Sequence, residues 1–156
     1  MWFVFVECCR LGIPWLGVVH DLSKFSPAEF LYYARNFYGE WPDQDSPDVR
    51  ASFLGAGVTL RTKQDVKCDF DFAWLHHQNT NKHHPEYWQL RARHRPLEEL
   101  PMPDRYRREM LADWIGAGRA YQNPDTRGWY FLNRKSIKLH PDTRAWVEEQ
   151  LGVTNS

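Results

Sequence analysis

Cysteine is scarce in this 156-residue chain: Cys8, Cys9 and Cys68 are an odd number, and two of them are adjacent. That pattern excludes a disulfide framework and fits buried thiols in a reducing, cytoplasmic setting. Net charge is lacking as well. Twenty Lys and Arg balance 20 Asp and Glu, so no global basic field draws the chain to nucleic acid or anionic lipid. Nor is there a clean membrane-length apolar run. The opening MWFVFVECCRLGIPWLGVV comes nearest, but Glu7 and Arg10 interrupt it, no basic segment precedes it and Pro14 breaks it. We read it as a core helix and a turn, not as a signal peptide or anchor. Strict period-2 alternation, repeats and low-complexity segments are missing too, which leaves an all-α chain.

What is present is a series of helical segments separated by proline-marked loops. One domain is expected over residues 1–156, a compact bundle of about six helices. The first runs from residue 2 to Leu11 with Gly12 as its stop, and Pro14 opens a second that carries His20 and Asp21. Ser26-Pro27-Ala28-Glu29 reads as a capping box for a third helix, with Phe30, Leu31, Ala34, Phe37 and Tyr38 on its apolar face and Gly39 at its end. An acidic loop (40–50) and a mostly helical stretch (51–78) follow. PEYWQLR is read as a short helix and RPLEELPMP as a linker. Asp104 begins a strong helix in which Met110, Asp113 and Ala117 share a face, and after a polar loop Pro141 to Leu151 closes the chain, stopped by Gly152.

Aromatic residues reach 15%, with eight Trp, and there are seven His. Aromatics alone signify a core, and Trp74, Trp88 and Trp114 are read as packing around a site. The histidines are different because they come in groups. His20-Asp21, His76-His77, His83-His84 and Asp113 are four places with hard or borderline metal ligands, each near the middle or end of a helix. Neutral imidazole with carboxylate suits a divalent ion (Mn, Fe, Zn, Co, Ni or Mg), and helical bundles build such sites from facing helices. Adjacent helical residues point about 100° apart, so His20 and Asp21 converge on one ion only where the helix bends.

HDLSKF is similar to the HD-(I/L)-(G/S)-K signature of the HD-domain metal-dependent phosphohydrolases. The ordered set HDLSKFSPAEF, AWLHHQN, HHPEYW and the late Asp113 resembles most closely a small branch of that superfamily found in phages and bacteria. The family's first ligand is a His on the first helix; no His precedes His20 here, and by resemblance it would sit at or just before Met1. The resemblance implies an HD-like fold and a metal-activated water that attacks phosphorus in a small phosphorylated substrate, most plausibly a nucleotide. Asp21 would bridge or orient, His20 and Asp113 would ligate, and His77 with His83 or His84 would complete a second ion. Lys24 could reach a phosphate oxygen as a point charge. Asn79, Lys82 and Arg91 are further candidate substrate contacts.

Three other readings compete: a binding protein that sequesters a nucleotide in a degenerate site, a metal-dependent nuclease, and a structural zinc site. Closed zinc sites usually include Cys, and only Cys68 is near the histidines in sequence. Long nucleic acid is disfavoured by the neutral charge, no membrane partner is expected, and the aromatic-rich surface leaves room for a homodimer.

Overall fold

The computed structural model describes residues 1–38 and 63–153, which fall into two compact units. The acidic loop, Gly39 and the first half of the stretch at 51–78 lie outside the described residues. Seven α-helices and one two-residue β-ladder are present among the described residues, so the chain is all-α in class. No described helix is long and apolar enough to cross a membrane.

The first unit comprises Met1–Leu22 and Gln78–Ser156. Helix α1 (Trp2–Arg10) and α2 (Pro14–Val19) form a hairpin turned at Gly12, whose φ of 75° is the left-handed conformation that ends helices. Two glycines set how closely this hairpin packs. A Cβ on Gly17 would lie 2.8 Å from Cys8 Cβ, and one on Gly116 would lie 2.6 Å from the Val4 backbone nitrogen. Gly116 belongs to α5 (Asp104–Ala120), the long central helix of this unit. The bare backbone at Gly116 brings α1 against α5, burying Val4, Cys8 and Ala112 together.

On its other side α5 joins α6 (Thr126–Asn133) and α7 (Pro141–Leu151) around a core of Met102, Met110, Tyr130, Leu139 and Val147. The α6 segment had been expected as a polar loop. It is helical because the Asp125 side chain caps it by accepting from the Gly128 N–H, and Tyr130 anchors it in the core. The Tyr130 hydroxyl donates to Glu148 at 3.0 Å, so its polar end is satisfied. Helix α7 has the expected bounds, with Pro141 in its first turn and Gly152 left-handed at its end. PEYWQLR and the expected linker are corrected: Pro85–Trp88 is a single 3₁₀ turn, and Gln89–Leu90 pairs antiparallel with Glu98–Glu99. The thiols divide, with Cys8 buried and Cys9 and Cys68 exposed, so only one of the three fits the buried reading. Burial pushes the Cys8 thiol up to about 12.

The second unit, residues 23–77, contains α3 (Phe30–Tyr38) and most of α4 (Lys63–Thr80). Tyr33 and Phe37 meet Phe70 edge-on, at ring separations of 5.2 and 5.6 Å. Phe30, Leu31, Phe37 and Tyr38, expected on the apolar face, are exposed, and Ala34 is half-buried. The helix also starts three residues later than the capping box, with Pro27 at its first position, predicts. Ser26–Glu29 forms a turn, and the Glu29 carboxylate is used elsewhere.

Candidate metal centre

His20 and Asp21 are not on a helix, contrary to the expectation. Helix α2 stops at Val19, His20 is its extended cap (φ −52°, ψ 128°), and Asp21 is left-handed with φ 59°. Asp is one of the few side chains that tolerate this region, at some cost in strain. The bend lets neighbouring side chains converge, with His20 Nε2 3.4 Å from Asp21 Oδ2.

In the first unit this corner meets α5 and the His83 turn. His20 Nε2 lies 3.2 Å from Asp113 Oδ1, and His83 Nε2 lies 3.5 Å from Asp21 Oδ1. The two imidazoles are 4.4 Å apart. His20, Asp21 and His83 are all buried, and Asp113 is partly so. Ligand atoms of His20, His83 and Asp113 all fall within 4.8 Å of one another. His84 adjoins His83 at 4.3 Å between ring centres.

Glu109 completes the group and had not been anticipated. It is buried one helical turn before Asp113, so both carboxylates share a face of α5. Its Oε1 lies 3.3 Å from His20 Nδ1 and 3.4 Å from His83 Nδ1. A single carboxylate therefore faces the Nδ1 edge of both rings, a placement that favours Nδ1–H and would leave Nε2 for an ion. The i, i+4 spacing of Glu109 and Asp113 was the sequence signal that could have found it.

The electrostatics agree with the geometry. Burial pulls the His20 pKa down, but hydrogen bonds donated to Asp113 and Glu109 and the charge of Asp21 outweigh it and raise the group to about 9. Burial pushes Asp113 and Glu109 up, and the imidazoles facing them outweigh it, so both stay below the usual carboxylate range. Without an ion this is a proton held among carboxylates.

The spacing tests whether an ion fits. Charge-assisted N–H···O bonds run about 2.7–2.9 Å, whereas the Nε2 atoms stand 3.2–3.5 Å from the Asp21 and Asp113 carboxylates. A four-coordinate ion with bonds of about 2.0–2.1 Å separates its ligand atoms by about 3.3–3.4 Å. The donor set of His20, His83 and Asp113, two imidazoles and a carboxylate, could hold a divalent ion.

In the second unit, His76 and His77 gather on Glu29. His76 Nδ1 lies 2.8 Å from Glu29 Oε1 and His77 Nδ1 2.9 Å from Oε2. Ser23 Oγ lies 3.1 Å from both Glu29 Oε2 and His77 Nδ1. Serine and carboxylate share one ring edge, so this is not a nucleophile–base–orienter chain. Trp74 stacks on His77 at 5.5 Å. Lys24 lies over the Tyr33 ring at 5.7 Å.

Among the candidate substrate contacts, Asn79 is exposed on the last turn of α4 and Arg91 is exposed in the ladder's loop. Lys82 is exposed beside the Tyr106 and Tyr87 rings. Trp88 and Trp114 pack into the core as expected, the former also donating to the Lys82 carbonyl.

Residues 1–153 match the model of a family of unknown function, DUF5662. The chain belongs to that family. No curated protein matches it, and no solved structure matches it.

Proposed function

We propose that this DUF5662 protein is a divalent-metal-dependent phosphohydrolase acting on a small phosphorylated substrate, with a nucleotide as the leading class. The observation that carries the reading is the convergence of His20 Nε2 with Asp113 and Asp21, and of His83 with Asp21, at ligand-edge spacing. The resemblance of HDLSKF and the later histidines to the HD-domain phosphohydrolases supports the same reaction class.

A divalent ion held there would polarise a phosphoryl oxygen and make a water acidic near neutral pH. The protein's own groups do the rest. His20 and His83 present Nε2 because Glu109 faces both Nδ1 atoms. Asp113 and Asp21 supply the negative charge that selects a dication, and Asp21, facing both rings, orients them toward each other. His76 and His77 stay candidate ligands of a second ion: with Nδ1–H given to Glu29, each would offer Nε2. Lys24 supplies a positive point charge for a phosphate oxygen.

The test is phosphate release by chelator-stripped protein reloaded with Mn, Fe, Zn, Co, Ni or Mg, on a panel of nucleotides and one oligonucleotide. The expected result is metal-dependent release from a small ester, lost in Asp21→Asn and Asp113→Asn variants that keep their helical circular dichroism. Nucleotide binding without turnover would replace this reading with sequestration. Oligonucleotide cleavage with steep salt dependence would replace it with a nuclease.

A further inference from the structure

A second feature of the first unit stands apart from the metal reading. Where α5 ends, Asn123 N–H donates to the Gly118 carbonyl at 2.8 Å, and the chain reverses through Gln122 in the left-handed conformation (φ 58°). The reversal needs Gly118, because a Cβ there would sit 2.7 Å from the Asn123 carbonyl oxygen. Between this turn and α6 lies a cavity of about 280 Å³, near the lower end of small-molecule sites. Trp114 and Trp129 form its walls, meeting at 61° with centroids 5.3 Å apart. Tyr121, 79% exposed, stands at the mouth. Thr126 also lines it, 7% exposed, and its buried hydroxyl makes no hydrogen bond among the described residues.

We infer that this cavity binds a neutral, planar heteroaromatic ring, stacked on Trp114 or Trp129 with a polar ring edge on the Thr126 hydroxyl. Each restriction has a cause. The described residues that line the cavity carry no charge, so an ionic group would enter without a partner. The polar lining side chains other than Tyr121 are Asn123 and Thr126, too few for the hydroxyls of a sugar. An aliphatic guest would leave the Thr126 hydroxyl buried and unsatisfied, which costs binding. A flat ring with a donor or acceptor on its rim satisfies both the aromatic walls and the hydroxyl.

The whole chain, stripped of metal, is titrated calorimetrically with adenine, uracil, indole and nicotinamide, and with cyclohexanol as the aliphatic control. The indole N–H resonances of Trp114 and Trp129 are followed in parallel. At least one ring compound is expected to bind and shift those resonances, and cyclohexanol is not. Thr126→Val, which keeps the shape, should weaken binding by about three- to tenfold, the worth of one hydrogen bond. Ala117→Phe, which fills the cavity, should abolish it. Failure of every ring compound, equal binding of cyclohexanol, or unchanged affinity in Thr126→Val would each overturn the inference. Metal uptake is unaffected by any of these outcomes, so this inference and the proposed function fail separately.

Discussion

Two histidine–carboxylate groups, one in each unit, use the same parts at different spacing. In both, one buried glutamate faces the Nδ1 atoms of two imidazoles: Glu109 for His20 and His83, and Glu29 for His76 and His77. Around Glu29 the distances are 2.8–2.9 Å, those of closed hydrogen bonds. Around Asp113 and Asp21 the Nε2 distances are 3.2–3.5 Å, stretched for hydrogen bonds and matching the edges of an ion's coordination shell, while Glu109 stands 3.3–3.4 Å from both Nδ1 atoms. The first group adds two aspartates on the Nε2 side, one held there by a left-handed backbone. Extra negative charge and strain at a buried site are features that packing alone does not require. The Glu29 group reads as a hydrogen-bonded orienting device, and the Glu109 group as the same device with ligands added.

The two groups should therefore fail in different ways. Asp113→Ala removes a candidate ligand and should weaken divalent-ion binding by about a hundred- to a thousandfold, roughly a quarter of a structural-zinc binding free energy. Competition with a chromogenic chelator measures it. Glu109→Gln should cost about 10- to 100-fold in the same assay, the usual penalty for losing an imidazole's orienting carboxylate. The matching Glu29→Gln should appear instead as instability of the metal-free protein, about 1–3 kcal/mol by urea unfolding, because an amide N–H₂ now faces imidazole donors.

The pH dependence sharpens the contrast. His20 titrates near 9 in the metal-free protein, so an ion must displace its proton. Affinity should rise about tenfold per pH unit toward pH 9 and then level off, with one proton released into the buffer on binding. The same shift stabilises the metal-free fold: that stabilisation is complete below the ordinary imidazole pKa of 6.5 and is lost as pH rises through about 9. The smallest effect belongs to Ser23→Ala, which should cost about 0.5–1.5 kcal/mol, the net worth of one hydrogen bond, and leave ion affinity unchanged.

Much of this was legible in the chain, and the gaps have physical causes. Helix α7 and the start of α5 were readable because proline, glycine and an acidic first turn mark their ends, signals that act locally. Among the candidate ligands, His20, Asp21, His83 and Asp113 were readable as grouped His and Asp. Glu29 was not, because Ser-Pro-Ala-Glu is a good capping box and only the tertiary arrangement diverts its carboxylate to His76 and His77. Glu109 was hidden among the charges of a helix, where most carboxylates are solvated. The bend at His20 depends on Asp21 adopting a left-handed conformation, which one residue's identity permits but does not announce. Helix α6 was missed because GWYFLN is too short to show periodicity and its cap, Asp125, lies in a polar loop.

The most direct test of the metal centre is a crystal structure of the protein grown with zinc or manganese, with anomalous difference density collected at the metal edge. A peak bonded to His20 Nε2 and Asp113 is expected, at about 2.0–2.2 Å, with Glu109 still facing both Nδ1 atoms. No peak at these residues, or rings turned so that Nε2 faces Glu109, would contradict the metal reading.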